Sequence, residues 1–366
     1  MDDNNRSDTN CTDIDNAYLR IFDNETFTMD LVVRFLISLP LNSTGIILNI
    51  LCFFIVGRLK TGLRSTTRAL QVLALTDAFF LMNSIMTFVL PSIHEHTGLL
   101  ANYYFHFYMP GFKFILFCYT YSRIVTLWMV AAVTCQRYFA LRMPLKAKAF
   151  LTSRLLCIVV IAIVCVAIAF SIPVIWKVEY GTWLDCRTNI TYQGPRVVLT
   201  DHTGHGKGPA YFILEALFNT LLPMIIVFVL NISLIKRLKI ASKRLKEKTK
   251  SEAKSKDVTL LFAALATTFV ICTLPEVIFR MIYSIDTFVY QVLNPIYSWR
   301  FMLISNLFLD LNSCANILVY YVAGSQFRKA VKDFIRCGKK EYIRPSYSSS
   351  QELSSPAKNA IIKTNF

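Results

Sequence analysis

Five ionisable residues lie within apolar stretches of this chain, where an unpaired charge is costly: Arg123, Glu215, Glu276, Arg280 and Asp310. Glu276 and Arg280 are four residues apart, one turn of a helix, and can pair. Arg123 stands fourteen residues before Arg137, roughly 21 Å along a helix, and Asp310 ten before Tyr320, roughly 15 Å. Intramembrane charges either pair or face a wet cavity. One reading therefore joins Arg123 to Asp310 and Glu276 to Arg280. In the other, the carboxylates Glu215, Glu276 and Asp310 receive a cation from a ligand, and Tyr119, Phe279, Tyr283 and Trp299 line an aromatic hollow beside them.

A second constellation holds a single acid. Asn49 is nine residues before Arg58, Asp77 nine after Arg68 and Asn316 eight before Gly324, so all three share a depth of roughly 12–14 Å. Thr126 and Asn312 lie just above. One carboxylate ringed by amides and hydroxyls suits a hard cation, and Na⁺ is the expected ion. The alternative is a protonated Asp77 that joins helices by hydrogen bonds. No nucleophile with a paired base accompanies these groups, so the chain reads as non-enzymatic, with no cofactor other than this allosteric Na⁺.

Such residues need elements that hold polar groups inside hydrocarbon. The chain has 366 residues, 54% hydrophobic and 17% charged, with a mean hydropathy of +0.46. A soluble domain would carry about 25% charge. Seven apolar stretches are long enough to cross a bilayer as helices: Phe35–Val56, Ala69–Leu90, Phe112–Phe139, Leu155–Trp176, Ala210–Ile235, Val258–Tyr283 and Phe301–Val322. The fold class expected is an all-α membrane protein, a seven-transmembrane helix bundle spanning residues 35–323. No internal repeat or paired broken helices mark a transporter.

Basic residues follow the first, third and fifth spans (Arg58 to Arg68, Arg142 to Arg154, Lys236 to Lys256), which puts those loops and the C-terminus in the cytoplasm. Residues 1–34 are polar and acidic, without a cleavable signal peptide, and are expected outside. Sequons there begin at Asn5, Asn10 and Asn24, and another begins at Asn189 in a long external loop; all four are expected to be glycosylated. The net charge of +16 is spread over one membrane face and reads as topology rather than nucleic-acid binding. Residues 324–337 place Phe327, Val331, Phe334 and Ile335 at helical spacing opposite basic residues, an amphipathic eighth helix on the lipid surface. Cys337 at its end is an expected palmitoylation site. Residues 338–366 read as a disordered tail in which Ser348, Ser349, Ser350, Ser354 and Ser355 suit a kinase. Among cysteines that can meet oxidising conditions, Cys186 has two competing partners, Cys118 and Cys11.

In order along the spans, "LNILCFFIV" with Asn49, "LALTDAFFL" with Asp77, "QRYFALRMP", "LLPMIIVFVLN", "FVICTLP" and "NSCANILVYY" resemble the motifs of rhodopsin-like (class A) G-protein-coupled receptors. The resemblance covers roughly Phe35 to Cys337, and the last two motifs are similar to those of invertebrate FMRFamide-receptor-like neuropeptide receptors. It implies an extracellular peptide ligand of the kind ending in Arg-Phe-amide, with a carboxylate for its guanidinium and a hollow for its ring. It also implies a heterotrimeric G protein at the cytoplasmic face, arrestin and a receptor kinase as partners, and residence in the plasma membrane. By the same resemblance Gln136, Arg137, Tyr138, Phe269, Pro275, Asn316 and Tyr320 carry the switch. Gln136 stands where the family has an acid, Ile317 where it has a proline, Asn231 where a tyrosine is common, and Phe112 where the disulfide cysteine is usual. Gln136 offers Arg137 only a neutral hydrogen bond, which implies a weak resting lock and raised ligand-free signalling. Alternatives are a chemosensory receptor of the same fold for a small molecule, and a seven-helix transporter or channel.

Overall fold

The computed structural model describes residues 24–58, 64–176, 178–185, 190–197, 213–244, 250–285, 295–323 and 325–340. Seven helices are long and apolar enough to cross a membrane: α1 Glu25–Gly57, α2 Ser65–Thr97, α3 Ala101–Ala140, α4 Ser153–Trp176, α5 Ile213–Lys236, α6 Ala263–Tyr283 and α7 Ile296–Val322. An eighth helix, α8 (Ser325–Lys340), follows. The end of the bundle that holds Glu25 is termed outer and the end that holds α8 inner, following the charge rule.

Two helices start much earlier than hydropathy alone predicts. α1 takes in residues assigned above to an external segment ending at 34, and α3 begins at Ala101 rather than Phe112. In α1 the cause is charge pairing. Asp30 and Arg34, one turn apart, lie 2.9 Å from each other. Asp30 also accepts from Ser92 Oγ at 2.7 Å and contacts His96 Nε2 at 2.9 Å, while Arg34 Nη1 donates to the Phe88 carbonyl at 3.2 Å. Paired charges lose most of the cost that a hydropathy window assigns to them. In α3 the added turns are aromatic: Tyr103 and Tyr108 donate to the Met86 and Thr87 carbonyls of α2 at 3.1 and 3.3 Å.

Four outer halves contain widened helical turns, Leu31–Ser38, Ile85–Val89, Tyr104–Tyr108 and Ala216–Leu221. Each ends two residues before a proline: Pro40, Pro91, Pro110 and Pro223. Proline lacks an N–H and its ring crowds the carbonyl four residues back, and a widened turn moves that carbonyl aside without breaking the helix. The helices therefore stay continuous while the side chains beyond each widened turn are rotated relative to a regular helix.

α3 is the central helix: 67% of its most apolar window is buried, against 17% for α4, whose Ile158, Ile161, Ile168 and Ile172 face outward. α1 approaches the bundle closely at Gly45, where a β-carbon would collide with Cys314 Sγ and lie 2.7 Å from Leu81 Cδ1. α8 packs Phe327 on Tyr320 (ring centroids 5.6 Å apart) and Phe334 under the Arg58 guanidinium at 4.6 Å. Its Arg328 caps the end of α7 by donating to the Tyr321 and Val322 carbonyls at 3.0 and 2.7 Å.

Among the described residues the fold is helical apart from one hairpin, which lies in the segment read above as a long external loop. β1 (Val178–Asp185) pairs antiparallel with β2 (Ile190–Val197), with Val178 opposite Val197 and Asp185 opposite Ile190. Tyr180 ties the hairpin to the outer end of α3, donating to the Pro110 carbonyl at 2.6 Å while Lys113 lies 5.0 Å from its ring centroid.

Candidate functional site

The outer site is a box of four charges. Arg123 of α3 donates through Nη1 to Glu276 Oε1 of α6 at 2.8 Å and through Nη2 to Glu215 Oε1 of α5 at 2.9 Å. Arg280, one turn beyond Glu276, donates through Nε to the same Glu276 oxygen and through Nη1 to the same Glu215 oxygen at 3.2 Å. Two guanidinia and two carboxylates sum to zero. This compensation is what allows the Arg123, Glu215 and Glu276 side chains to be only 2, 6 and 3% exposed. Arg280 is 25% exposed and forms the outward side of the box.

Of the two pairs read from the sequence, Glu276 with Arg280 is present. Arg123 with Asp310 is not. Asp310 turns to the other side of the bundle, where its Oδ2 accepts from Asn42 Nδ2 of α1 at 2.9 Å and Ser84 Oγ of α2 at 3.2 Å. Residue counting gave the level of each group along its helix but not the direction in which it points.

The aromatic residues divide as well. Phe279 packs on Tyr283 (5.7 Å) and edge-on to Phe301 (5.6 Å), one residue from Arg280 in the chain. Tyr119 lies deeper, edge-on to Phe88 at 4.8 Å, with its hydroxyl 3.4 Å from Asn306 Oδ1. Trp299 lies under the Arg34 guanidinium, 4.9 Å from it, and so belongs with the charged cluster of α1 and α2. Arg34 and Asp30 escaped the sequence reading because the first apolar window began one residue after Arg34, and Ser92 and His96 because the second ended at Leu90.

The inner layer forms around Asp77, which is fully buried. Its Oδ1 accepts from Ser313 Oγ at 3.2 Å and its Oδ2 from Asn316 Nδ2 at 2.5 Å. Asn49 Nδ2 donates to the Gly45 and Ser313 carbonyls at 3.0 and 2.9 Å. Ser313, three residues before Asn316 on the same helical face, was the missing member. A small gap of about 10 Å³ above this layer is lined by Thr126, Asn312, Ser313 and Arg123 among others. Thr126 Oγ1 is buried without a hydrogen-bond partner. Thr126, Asn312 and Ser313 offer this gap oxygens of the kind a hard cation takes, but Asp77 is not among its lining residues and the Arg123 guanidinium there opposes a cation.

At the inner end, Gln136 donates to Ser65 Oγ of α2 at 3.1 Å, so its amide joins α3 to α2. Arg137 is partly buried one residue on, and Tyr138 accepts from Arg142 at 3.0 Å. Asn231 and Thr267 join α5 to α6 at 2.9 Å. Phe269 and Tyr320 are buried in the core; the Phe269 carbonyl accepts from Thr273 Oγ1 at 2.8 Å, and Pro275 lies inside the helix two residues later. Cys118 is a free thiol. Cys186, Cys11, Asn5, Asn10 and Asn189 lie outside the described residues, as do the side chains of Asn24 and Cys337.

Seven apolar helices, an ion-paired outer box and a polar inner layer define a seven-helix membrane bundle. The chain belongs to the family described as serpentine type 7TM GPCR chemoreceptor Srw, whose model matches residues 36–338. It is 25% identical over 287 residues to the FMRFamide receptor of Drosophila melanogaster, covering 78% of this chain and 50% of that protein. It is 25% identical over 228 residues to sex peptide receptor-related protein 2 of Caenorhabditis elegans (57% of this chain, 51% of the relative) and 24% identical over 231 residues to galanin receptor 2a of Danio rerio (63% and 59%). The chain thus spans about half the length of the first two of these relatives.

Proposed function

We propose that this chain is a plasma-membrane receptor for an extracellular peptide whose end carries an arginine and an aromatic ring, and that binding drives nucleotide exchange on a heterotrimeric G protein. The observation that carries the reading is the charge box. Its two glutamates come from α5 and α6, its outward side is Arg280, and Phe279, next to Arg280 in the chain, packs with Tyr283 and Phe301. A guanidinium takes a bidentate place between carboxylates, and a phenyl ring fills an aromatic hollow. Peptide receptors among the relatives support a peptide, and the name of one supports an amidated Arg-Phe end.

Transmission follows from the connections. A ligand that binds one arrangement of α5 and α6 more tightly shifts the bundle's population toward it. Pro275 lies one residue before Glu276 and weakens α6 where the box attaches. The Asp77, Asn316 and Tyr320 layer, with Na⁺ as its allosteric ion, and the Arg137 end then report the change to the G protein inside. In this orientation the N-terminus is extracellular and the serine-rich tail is available to a receptor kinase and arrestin.

The family description as chemoreceptors favours a second reading, a small-molecule ligand in the same outer site. A screen of amidated peptides in cells bearing a panel of G-protein sensors separates the two. A response confined to peptides with an arginine near an aromatic end supports the first. Silence to all peptides with a response to small amines or acids supports the second.

A further inference from the structure

Two guanidinia bridge the same two carboxylate oxygens, yet they are not equivalent. Arg123 comes from the central helix and its side chain is 2% exposed; its departure would strand Glu215 and Glu276 in the interior. Arg280 closes the box from the outer side, is 25% exposed, and sits on a long flexible stem. We propose that Arg280 is the resident occupant of a guanidinium site, and that the ligand's arginine enters by exchange. The incoming guanidinium takes over the contacts to Glu276 Oε1 and Glu215 Oε1, and Arg280 swings toward the mouth.

Charge favours exchange over addition. The four charges sum to zero, and exchanging one guanidinium for another preserves that sum among them, whereas adding a third guanidinium or a carboxylate to the four does not. Geometry favours a guanidinium over an ammonium, because a planar fork reaches acceptors on two helices and a point charge does not. The exchange also has a structural consequence. In the resting chain Arg280 staples its own helix α6 to Glu215 of α5, and release of that staple frees the outer end of α6. This inference rests on the reading that a peptide arginine enters the outer site.

An internal competitor lowers apparent affinity in proportion to the time it is bound, so its removal raises potency. Activation of Arg280→Ala by an arginine-bearing amidated peptide is expected at about tenfold lower concentration than in wild type, and of Arg280→Lys, which lacks the fork, at about threefold lower. The same peptide with citrulline for arginine gains nothing in either variant. Without any peptide, propylguanidinium should raise the unfolding temperature of purified Arg280→Ala receptor, while propylurea, its neutral analogue, should not, and wild type should respond to neither. Lower potency of Arg280→Ala at normal surface expression overturns the proposal, because Arg280 then contacts the ligand directly. Equal stabilisation by propylguanidinium and propylurea overturns it too, even where peptides activate wild type. Selective stabilisation with silence to every peptide upholds the guanidinium site and removes the peptide reading.

Discussion

The outer charge box and the inner polar layer solve the problem of buried polarity in opposite ways, and Asp310, held by Asn42 and Ser84, follows the inner pattern within the outer half. Outside, full charges are brought together and cancelled, in the Arg123, Arg280, Glu215, Glu276 box and again in the Asp30–Arg34 pair. Inside, one carboxylate, Asp77, is surrounded by the neutral donors Ser313 and Asn316. The widened turns follow the same division, since all four precede prolines in outer halves. Charge-cancelled groups hold only while the composition stays neutral, which makes the outer half responsive to a ligand's charge. Neutral hydrogen bonds can be traded for one another at small cost, which makes the inner half suited to switching.

The largest expected effect comes from breaking outer neutrality. Glu276→Gln leaves two guanidinia against one carboxylate in a buried site, a loss of about 3–5 kcal/mol. Surface expression or peptide potency, measured by ligand binding on whole cells, should fall at least about a hundredfold. Wild-type potency would show that the outer half does not depend on cancellation.

Asp77→Asn tests the inner half and should cost less, about 1.5–3 kcal/mol for weakened bonds to Ser313 and Asn316. Ligand affinity of wild type should change between sodium-free and sodium-containing buffer, and that of Asp77→Asn should not. A sodium response retained by the variant would remove the ion from this layer.

Much of this contrast was legible in the sequence, for particular reasons. The seven spans were readable because lipid tolerates only long apolar helices, and Asp77 and Asn316 were matched because both depths count from a charged inner end. The prolines were visible, but not the widened turns that precede them. Arg123 was assigned the wrong partner because Asp310 shares its half of the bundle and points elsewhere. Arg34 was lost because a hydropathy window ends at a charge without asking whether Asp30, one turn away, cancels it. The hairpin was missed because the pattern of β1 carries Gly181 amid mixed polar and aromatic residues.

Smaller effects sharpen the contrast. Gly45→Ala forces a β-carbon onto Cys314 and Leu81 and should lower stability by about 1–3 kcal/mol, read as thermal unfolding of purified receptor. Unchanged unfolding would mean that α1 shifts freely. Gln136→Asp gives Arg137 an acidic neighbour and replaces the amide donor to Ser65 Oγ with an acceptor for that hydroxyl. Ligand-free signalling should fall about threefold, a change of less than 1 kcal/mol, and basal signalling that stays the same would place the resting lock elsewhere.

The central claim is that neutralising exchange of charge in the outer box drives signalling at the inner end. Its most direct test is guanine-nucleotide exchange on a purified G protein by the receptor in lipid nanodiscs, with an arginine-bearing amidated peptide and its citrulline counterpart. The expected result is acceleration by the arginine peptide alone, abolished in Glu276→Gln. Equal acceleration by both peptides would contradict it.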